Sequence, residues 1–288
     1  MSSAASRAPS SPVSPDVAEP PATAERPPRA FRRGVAAAGL PAVATEGAPV
    51  TEDDLAALPP PVRRYLHAMG VVGRPRTRSF RAHLSGRFRR GPDAPWMPCD
   101  AWQYNTVDGI TRLFRMRLLV GRAVPLWGWD TYRAGHGRMR GKLLGLVPVA
   151  NGSGPEFDTS ELVTWLDDAV LMAPGMLLDP RVGWEETGAD SFRVAVTDAG
   201  RTVGAEVRLG AHGRPYDVRT DDRWADLPGG LVRATWSTPV LDWGVVDGRP
   251  RLGRACAVWH LPDGRELPYG DMTVTDLEYD IAPGEAAR

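Results

Sequence analysis

The chain has few of the residues on which many chemistries depend. Its 288 residues include two cysteines, Cys99 and Cys256, and a single lysine, Lys142. Two thiols make neither a disulfide framework nor a four-thiolate metal site. The five histidines, His67, His83, His136, His212 and His260, show no His-x-His or His-Glu-x-x-His spacing, so no local zinc motif is present. No apolar run approaches the ~18 residues of a membrane-spanning helix. A surplus of charge is also missing, because 35 basic residues balance 35 acidic ones. A broad basic face for neutralising phosphates needs excess cation, so a nucleic-acid partner is not expected.

What is abundant points to turns and sheets. There are 31 glycines and 28 prolines, too many for a helical bundle. Arginine supplies every cation but Lys142, which reads either as a coding bias towards Arg, Ala, Gly and Pro or as selection for bidentate anion recognition. All ten tryptophans fall between Trp96 and Trp259. Large apolar side chains on both faces of a sheet suggest a thick core or an apolar cavity under a concave face.

Residues 1–50 differ from the rest. They carry nine prolines, many Ala and Ser, and one aromatic, Phe31, too little apolar surface to offset the ordering of the backbone. They are expected to form a disordered tail. Arg32-Arg33 followed by Val35 to Ala44, ending Ala42-Val43-Ala44, loosely resembles a secretory signal. Gly39 and Pro41 interrupt it, and it starts more than thirty residues from Met1, so a cytoplasmic chain is expected, with export as the alternative.

Structure begins near Thr51, where Thr51 and Asp54 are spaced as a capping box. Pro61 fits a first helical position, Val62, Tyr65, Leu66 and Met69 recur at helical spacing, and Gly70 can close that helix. From Thr77 the period becomes two: Phe80, Ala82, Leu84 and Phe88 alternate with Arg81, His83 and Arg87. Similar alternation runs through 113–120, 192–197 and 203–209. Asp108-Gly109, Asp198-Ala199-Gly200, His212-Gly213, Asp247-Gly248 and Asp263-Gly264 mark the turns between such runs. One helix interrupts the strands. Asp158, Thr159, Ser160 and Glu161 read as its start, Leu162, Trp165, Leu166, Ala169 and Val170 as its apolar stripe, and Pro174 as its end. The expected fold is α+β: one domain over 51–281, a large curved antiparallel sheet, half-barrel-like, with a few helices packed on one face and a short tail over 282–288.

The glycines between Gly135 and Gly141 superficially suggest a nucleotide loop. Gly145 and Pro148 leave no room for the required helix, so a hairpin turn and a bulge are expected, and no cofactor. Ser153, between two glycines, lacks nucleophile-elbow spacing. The carboxylates are more informative. Asp130 lies between Trp127, Trp129 and Tyr132; Glu161 is close to Trp165; Asp222 precedes Arg223 and Trp224. An acid among aromatics can have a raised pKa, or can orient a ligand. The structural alternatives are a capping role for Glu161 and arginine ion pairs for Asp130 and Asp222.

Several segments in order carry a family resemblance: residues 58–66, Trp102-Gln103-Tyr104, Asp130 to Tyr132, Gly135 to Gly137, Lys142 to Gly145, Gly154 to Asp158, Glu161-Leu162, Asp222-Arg223-Trp224, Trp236 to Pro239, and Val258-Trp259. Together they resemble a bacterial family known only as a domain of unknown function, over roughly 55–280. That resemblance implies no activity and assigns no residue a role. In topology, a meander interrupted by a helix is similar to lipoprotein-carrier half-barrels, which hold acyl chains in a concave sheet; fold alone does not fix function.

The leading expectation is therefore a non-enzymatic binding protein for an apolar or amphipathic small molecule. Gln103, Asp130, Tyr132, Glu161, Trp165, Asp222 and Arg223 are its candidate site residues. An enzyme using Asp130 or Glu161 as acid or base, and a protein-interaction module presenting a sheet edge, are the alternatives. With no ligand cluster in the sequence, elemental analysis of the purified protein should show no stoichiometric zinc or iron; a metal at one per chain would contradict this reading.

Overall fold

The structure, a computed structural model, describes residues 26–40, 47–227 and 229–286. Three helices open it: α1 (Arg29–Ala37), α2 (Glu52–Leu55) and α3 (Pro60–Ala68). A six-strand meander follows: β1 (Ser79–Phe88), β2 (Met97–Thr106), β3 (Thr111–Val120), β4 (Val124–Arg133), β5 (His136–Leu143) and β6 (Val147–Ser153). The long helix α4 (Pro155–Met172) and a 3-10 turn (Pro174–Leu177) lead to β7 (Val182–Gly188), β8 (Ser191–Asp198), β9 (Arg201–Leu209) and β10 (Pro215–Thr220). A small hairpin, β11 (Trp224–Leu227) and β12 (Gly230–Arg233), precedes β13 (Thr235–Ser237), β14 (Val240–Val246), β15 (Arg249–His260), β16 (Glu266–Tyr279) and α5 (Pro283–Ala286).

Fourteen strands form one open antiparallel sheet. Its order is β6-β5-β4-β3-β2-β1-β16-β15-β13-β10-β9-β8-β7, with β14 paired to β15. Two meanders are thus joined where the first strand pairs with the last, Phe80 opposite Tyr279. The two-residue turns expected from sequence close several hairpins. Ala134-Gly135, Ala199-Gly200 and Asp247-Gly248 all have positive φ at both positions, the type I′ geometry that suits right-twisted strands. Register shifts at His83/Leu84, Gly141/Lys142 and Ala257/Val258 are bulges, which add twist and help the sheet curl.

Helix α4 leaves the β6 edge, crosses the concave face and delivers the chain to the β7 edge. Every residue from Ser160 to Met172 is buried. Tyr65 of α3 donates its hydroxyl proton to the Val170 carbonyl at 2.8 Å, so α3 packs on the same side as α4. The helix starts earlier than the expected Asp158. Gly154, at φ +112°, is its N-cap and Pro155 its first residue, where a missing N–H costs nothing. Asp158 is left free to accept from the Gly137 amide at 2.8 Å and from Arg201 at 3.1 Å, which pins α4 to the β4–β5 turn. The capping box of Thr51 and Asp54 is present as expected.

The expected tail over 1–50 is corrected in part. Residues 29–37 are the helix α1, whose Phe31 and Val35 are buried with Trp102, Tyr104 and Ile281. Trp102 and Tyr104 alternate with Gln103 along β2, so this small cluster lies on the face opposite α4. Burying Phe31 and Val35 supplies the apolar contact that a composition average over fifty residues conceals. Residues 1–25 and 41–46, including Ala42 to Ala44, lie outside the described residues. At the other end, Ile281 is buried and α5 lies beside α1, where a short tail over 282–288 is expected.

Gly137 tests how closely α4 is held to the sheet. A Cβ there would stand 2.1 Å from the Phe157 carbonyl oxygen, whereas one at Gly183 would meet nothing within 4 Å. Gly137→Ala should cost about 2–3 kcal/mol in denaturant unfolding, and Gly183→Ala less than about 1 kcal/mol. Equal effects would contradict the close approach.

Candidate functional site

Between α4 and the curved sheet lies a cavity of about 310 Å³. Its walls are apolar: Leu84, Phe88, Phe114, Met116, Leu118, Leu126, Met139, Leu171, Leu252 and Met272 all contribute. The β11–β12 hairpin covers part of it with Trp224 and Leu227, and is tied down where the Trp224 amide donates to Ser160 Oγ at 3.1 Å.

One end of the cavity is ionic. Arg112 of β3 is 5% exposed and donates from Nε to Asp168 Oδ2 at 2.7 Å and from Nη1 to Glu161 Oε2 at 3.0 Å. Asp168 Oδ2 also accepts from Gln103 at 2.6 Å and from Asn105 at 3.1 Å. Strands place these groups by parity. Gln103 and Asn105 alternate with Trp102 and Tyr104, and Arg112 shares a face with Phe114, Met116 and Leu118. On α4, Glu161 and Asp168 are seven residues apart, about two turns, and therefore on one side.

Asp130, opposite Phe114 and Met139 in the sheet, lines the cavity with a shielded Oδ1 that has no hydrogen-bond partner. Asp167, 6% exposed, accepts from Thr238 at 3.2 Å and keeps its Oδ1 unpartnered. Arg223 lies over Trp236, 4.1 Å from the ring centre, and donates to the Tyr269 hydroxyl at 3.2 Å, while its Nε has no partner. Trp236 Nε1 donates to that same hydroxyl at 3.0 Å. With two donors on the Tyr269 oxygen, its own proton is left to point at something else.

Electrostatics follow from an imbalance. At the buried ionic end four carboxylates, Asp130, Glu161, Asp167 and Asp168, face two guanidinium groups, Arg112 and Arg223, while Arg89, Arg90, Arg140 and Asp226 line the cavity elsewhere. Burial first, and then the neighbouring Asp130, push Glu161 up to about 7, against the pull of Arg112 and Arg223. Burial also raises Asp130, opposed by the same two arginines, and raises Asp167 well above its usual range, with Asp168 adding to it. Burial works against the charge of Arg112, yet the three carboxylates around it outweigh burial and hold its pKa above the ordinary value. The cavity therefore sets carboxyl groups with raised proton affinity beside ion pairs. The thiols are shifted towards their protonated form: burial and Asp100 push Cys99 up to about 12, and burial raises Cys256. No histidine among the described residues lines the cavity, and no group of three or more metal-ligating side chains is arranged for an ion there.

Of the seven residues singled out in the sequence, Gln103, Asp130, Glu161 and Arg223 are brought together at this cavity. Three are not. Tyr132 is fully buried and donates to Asp198 at 2.7 Å. Trp165 is buried in the core, its Nε1 donating to the Thr106 carbonyl at 3.1 Å. Asp222 accepts from the Gly204 amide at 3.0 Å and from Arg233 at 3.1 Å, holding strands together. The capping role considered for Glu161 does not hold either, since α4 begins six residues before it. Arg112, Asp167, Asp168 and Tyr269 were not expected. Arg112 has a readable signal: it is out of phase with Arg115 and Arg117, so it must point to the other face.

A family model described as a family of unknown function (DUF6544) matches residues 48–272, and the chain belongs to that family. The match covers nearly the span over which the sequence motifs suggested such a family. No curated protein matches by sequence. Among solved structures, the chain is similar to an outer membrane lipoprotein-sorting protein domain from Vibrio parahaemolyticus, at 15% identity and TM-score 0.38, over 70% of this chain and 85% of that one. It is similar to a LolA superfamily protein from Nitrosomonas europaea, at 13% identity and TM-score 0.36, over 76% and 93% of the two chains. A DUF1329 family protein from Desulfovibrio piger gives 12% identity and TM-score 0.38, over 82% and 95%. Likenesses at these scores carry no statement about function.

The raised carboxyl groups make a pH prediction. An acid whose folded pKa exceeds its unfolded value stabilises the fold below the unfolded pKa and loses that contribution as pH rises through the folded one. For Glu161 the window runs from 4.5 to about 7, and Asp130 and Asp167 act in the same direction. Asp179 and Asp271, held low by arginines, act oppositely only below their usual 3.8. Tm should therefore be several degrees higher at about pH 5 than at about pH 8, and Glu161→Gln should reduce that difference. A Tm that rises from pH 5 to 8 with the same slope in both proteins would contradict the assignment.

Proposed function

We propose that this family member is a non-enzymatic binding protein that holds an apolar or amphipathic small molecule in the cavity under α4. The observation that carries the reading is the pairing of long apolar walls with a polar end whose groups are incompletely satisfied. Asp130 Oδ1, Asp167 Oδ1 and Arg223 Nε all lack partners there. Buried polar atoms without partners are costly, and a ligand end that both donates and accepts hydrogen bonds would relieve that cost. Gln103, Asp130, Glu161 and Arg223 would receive this end; Met116, Phe114 and Leu171 would enclose the apolar part. Asp168 supports a structural role beside them, since its Oδ2 is already committed to three donors.

One observation favours a second reading, an enzyme. Glu161 titrates near neutrality beside Asp130, as a general acid or base must. Chemical change in a bound amphiphile would distinguish turnover from carriage. The proposed compartment is the cytoplasm, with export the alternative; the packing of α1 on Trp102 supports a segment retained in the folded chain.

Binding can be read with N-phenyl-1-naphthylamine, an apolar fluorophore. Its emission should rise on addition of the protein and fall again when a long-chain alcohol displaces it. Met116→Trp, which puts a larger side chain where Met116 lines the cavity against Gly128, should weaken the fluorophore by about tenfold or more. Glu161→Gln should weaken the alcohol by about tenfold without lowering Tm, because a charged hydrogen bond contributes roughly 1.5–3 kcal/mol. Absence of enhancement, or equal binding by Met116→Trp, would refute the cavity as the site.

A further inference from the structure

The outer face of β3 to β6 has a composition unlike the rest of a charge-neutral chain. Between residues 109 and 153 there are seven arginines, one lysine and a single acid, Asp130; Arg112 and Asp130 face the cavity, which leaves six arginines and the lysine with no acid among them. Arg117, Arg122, Arg133, Arg138, Arg140 and Lys142 are all exposed, and none has an ion pair among the described residues. Helix α1, which lies against β3, adds exposed Arg29 and Arg33 and contains no acid.

Strand parity puts two tryptophans among these cations. Trp127 stands opposite Arg117 and Lys142, and Trp129 opposite Arg115 and Arg140, on the face away from the cavity. The Arg115 guanidinium lies 4.2 Å from the Trp127 ring centre and 5.4 Å from that of Trp129. At one end of the same strands, two turns present bare aliphatic side chains: Leu146 is 78% exposed, Leu144 57%, Val147 54%, Val124 38% and Val120 37%. The two turns are neighbours, joined by the Leu144 amide donating to the Pro125 carbonyl at 2.8 Å. Five of the nine large exposed apolar residues of the described chain therefore sit on one edge, bordered by Arg122 and Lys142.

We propose that this edge docks the protein on an anionic lipid surface, with Leu144, Leu146, Val120 and Val124 entering the interface and Arg122 and Lys142 meeting lipid phosphates. Aliphatic tips, interfacial tryptophans and uncompensated cations together match the three zones of a bilayer surface: acyl boundary, headgroup plane and negative charge. A nucleic acid would use the cations and the tryptophan rings, but gains nothing from exposed leucines. The docking face does not depend on the cavity reading, and either can fail while the other stands.

Co-sedimentation of the full chain with vesicles tests it. Vesicles of phosphatidylcholine plus phosphatidylglycerol should bind at least about tenfold more strongly than phosphatidylcholine alone, with binding falling as salt rises. The double variant Leu144→Ser/Leu146→Ser and the charge reversal Arg122→Glu/Lys142→Glu should each reduce binding by about tenfold or more at unchanged circular dichroism. Leu241→Ser/Val245→Ser, exposed apolar positions on β14, should bind like the wild type. Failure to bind anionic vesicles would overturn the proposal, as would binding that both edge variants retain. Binding to single-stranded DNA that the charge reversal removes, in a protein that ignores vesicles, would assign the face to nucleic acid instead.

Discussion

The buried ion pair between Arg112 and Asp168 is the contact on which the rest of the arrangement depends. A guanidinium in the middle of a sheet must be matched, and stripping its partner costs on the order of 3–5 kcal/mol. Here the match comes from α4, with Gln103 and Asn105 completing the carboxylate's bonds. The pair therefore fixes both the position of the helix over the sheet and its rotation. Once rotated so, α4 turns Glu161, Thr164, Asp167 and Asp168 towards β2, β3 and β13, and its apolar residues towards the core.

The cavity is a geometric consequence. An 18-residue helix is about 27 Å long, while a path of thirteen strands spaced about 4.8 Å apart is about 60 Å wide, so one helix cannot cover a curled sheet of that size. The space that remains is lined by the residues that face inward from β3, β4, β15 and β16. Its polar end has more carboxylates than guanidinium groups, which the fold accommodates by raising pKa values. Such a surplus is costly for a structural core and useful for a site, because the unpartnered oxygens are available to whatever enters.

Local features were legible in the sequence because their causes are local. Period-two alternation marked β1, β3, β8 and β9, Gly-containing pairs marked the hairpins, and Thr51 with Asp54 marked a helix start. The pairing of β1 with β16 was not, since it joins residues nearly two hundred positions apart that carry no mutual signature. The search for acids near aromatics led to Asp130 and Glu161, which line the cavity, as does Arg223, stacked on Trp236. The same rule misplaced Asp222, which supports backbone and arginine contacts, and Trp165 and Tyr132, whose polar atoms are satisfied in the core. Arg112 could have been found by parity alone. Asp168 needed the helix phase, and α1 needed the one aromatic of a proline-rich segment to be weighed by itself rather than averaged away.

Native mass spectrometry of the purified chain, sprayed from buffer and again after denaturation, addresses the central claim most directly. The account predicts a population heavier than the 31.2 kDa polypeptide by the mass of one small amphiphile, released on unfolding and diminished in Met116→Trp. A single species at the polypeptide mass, which stays single after incubation with long-chain alcohols, would contradict it.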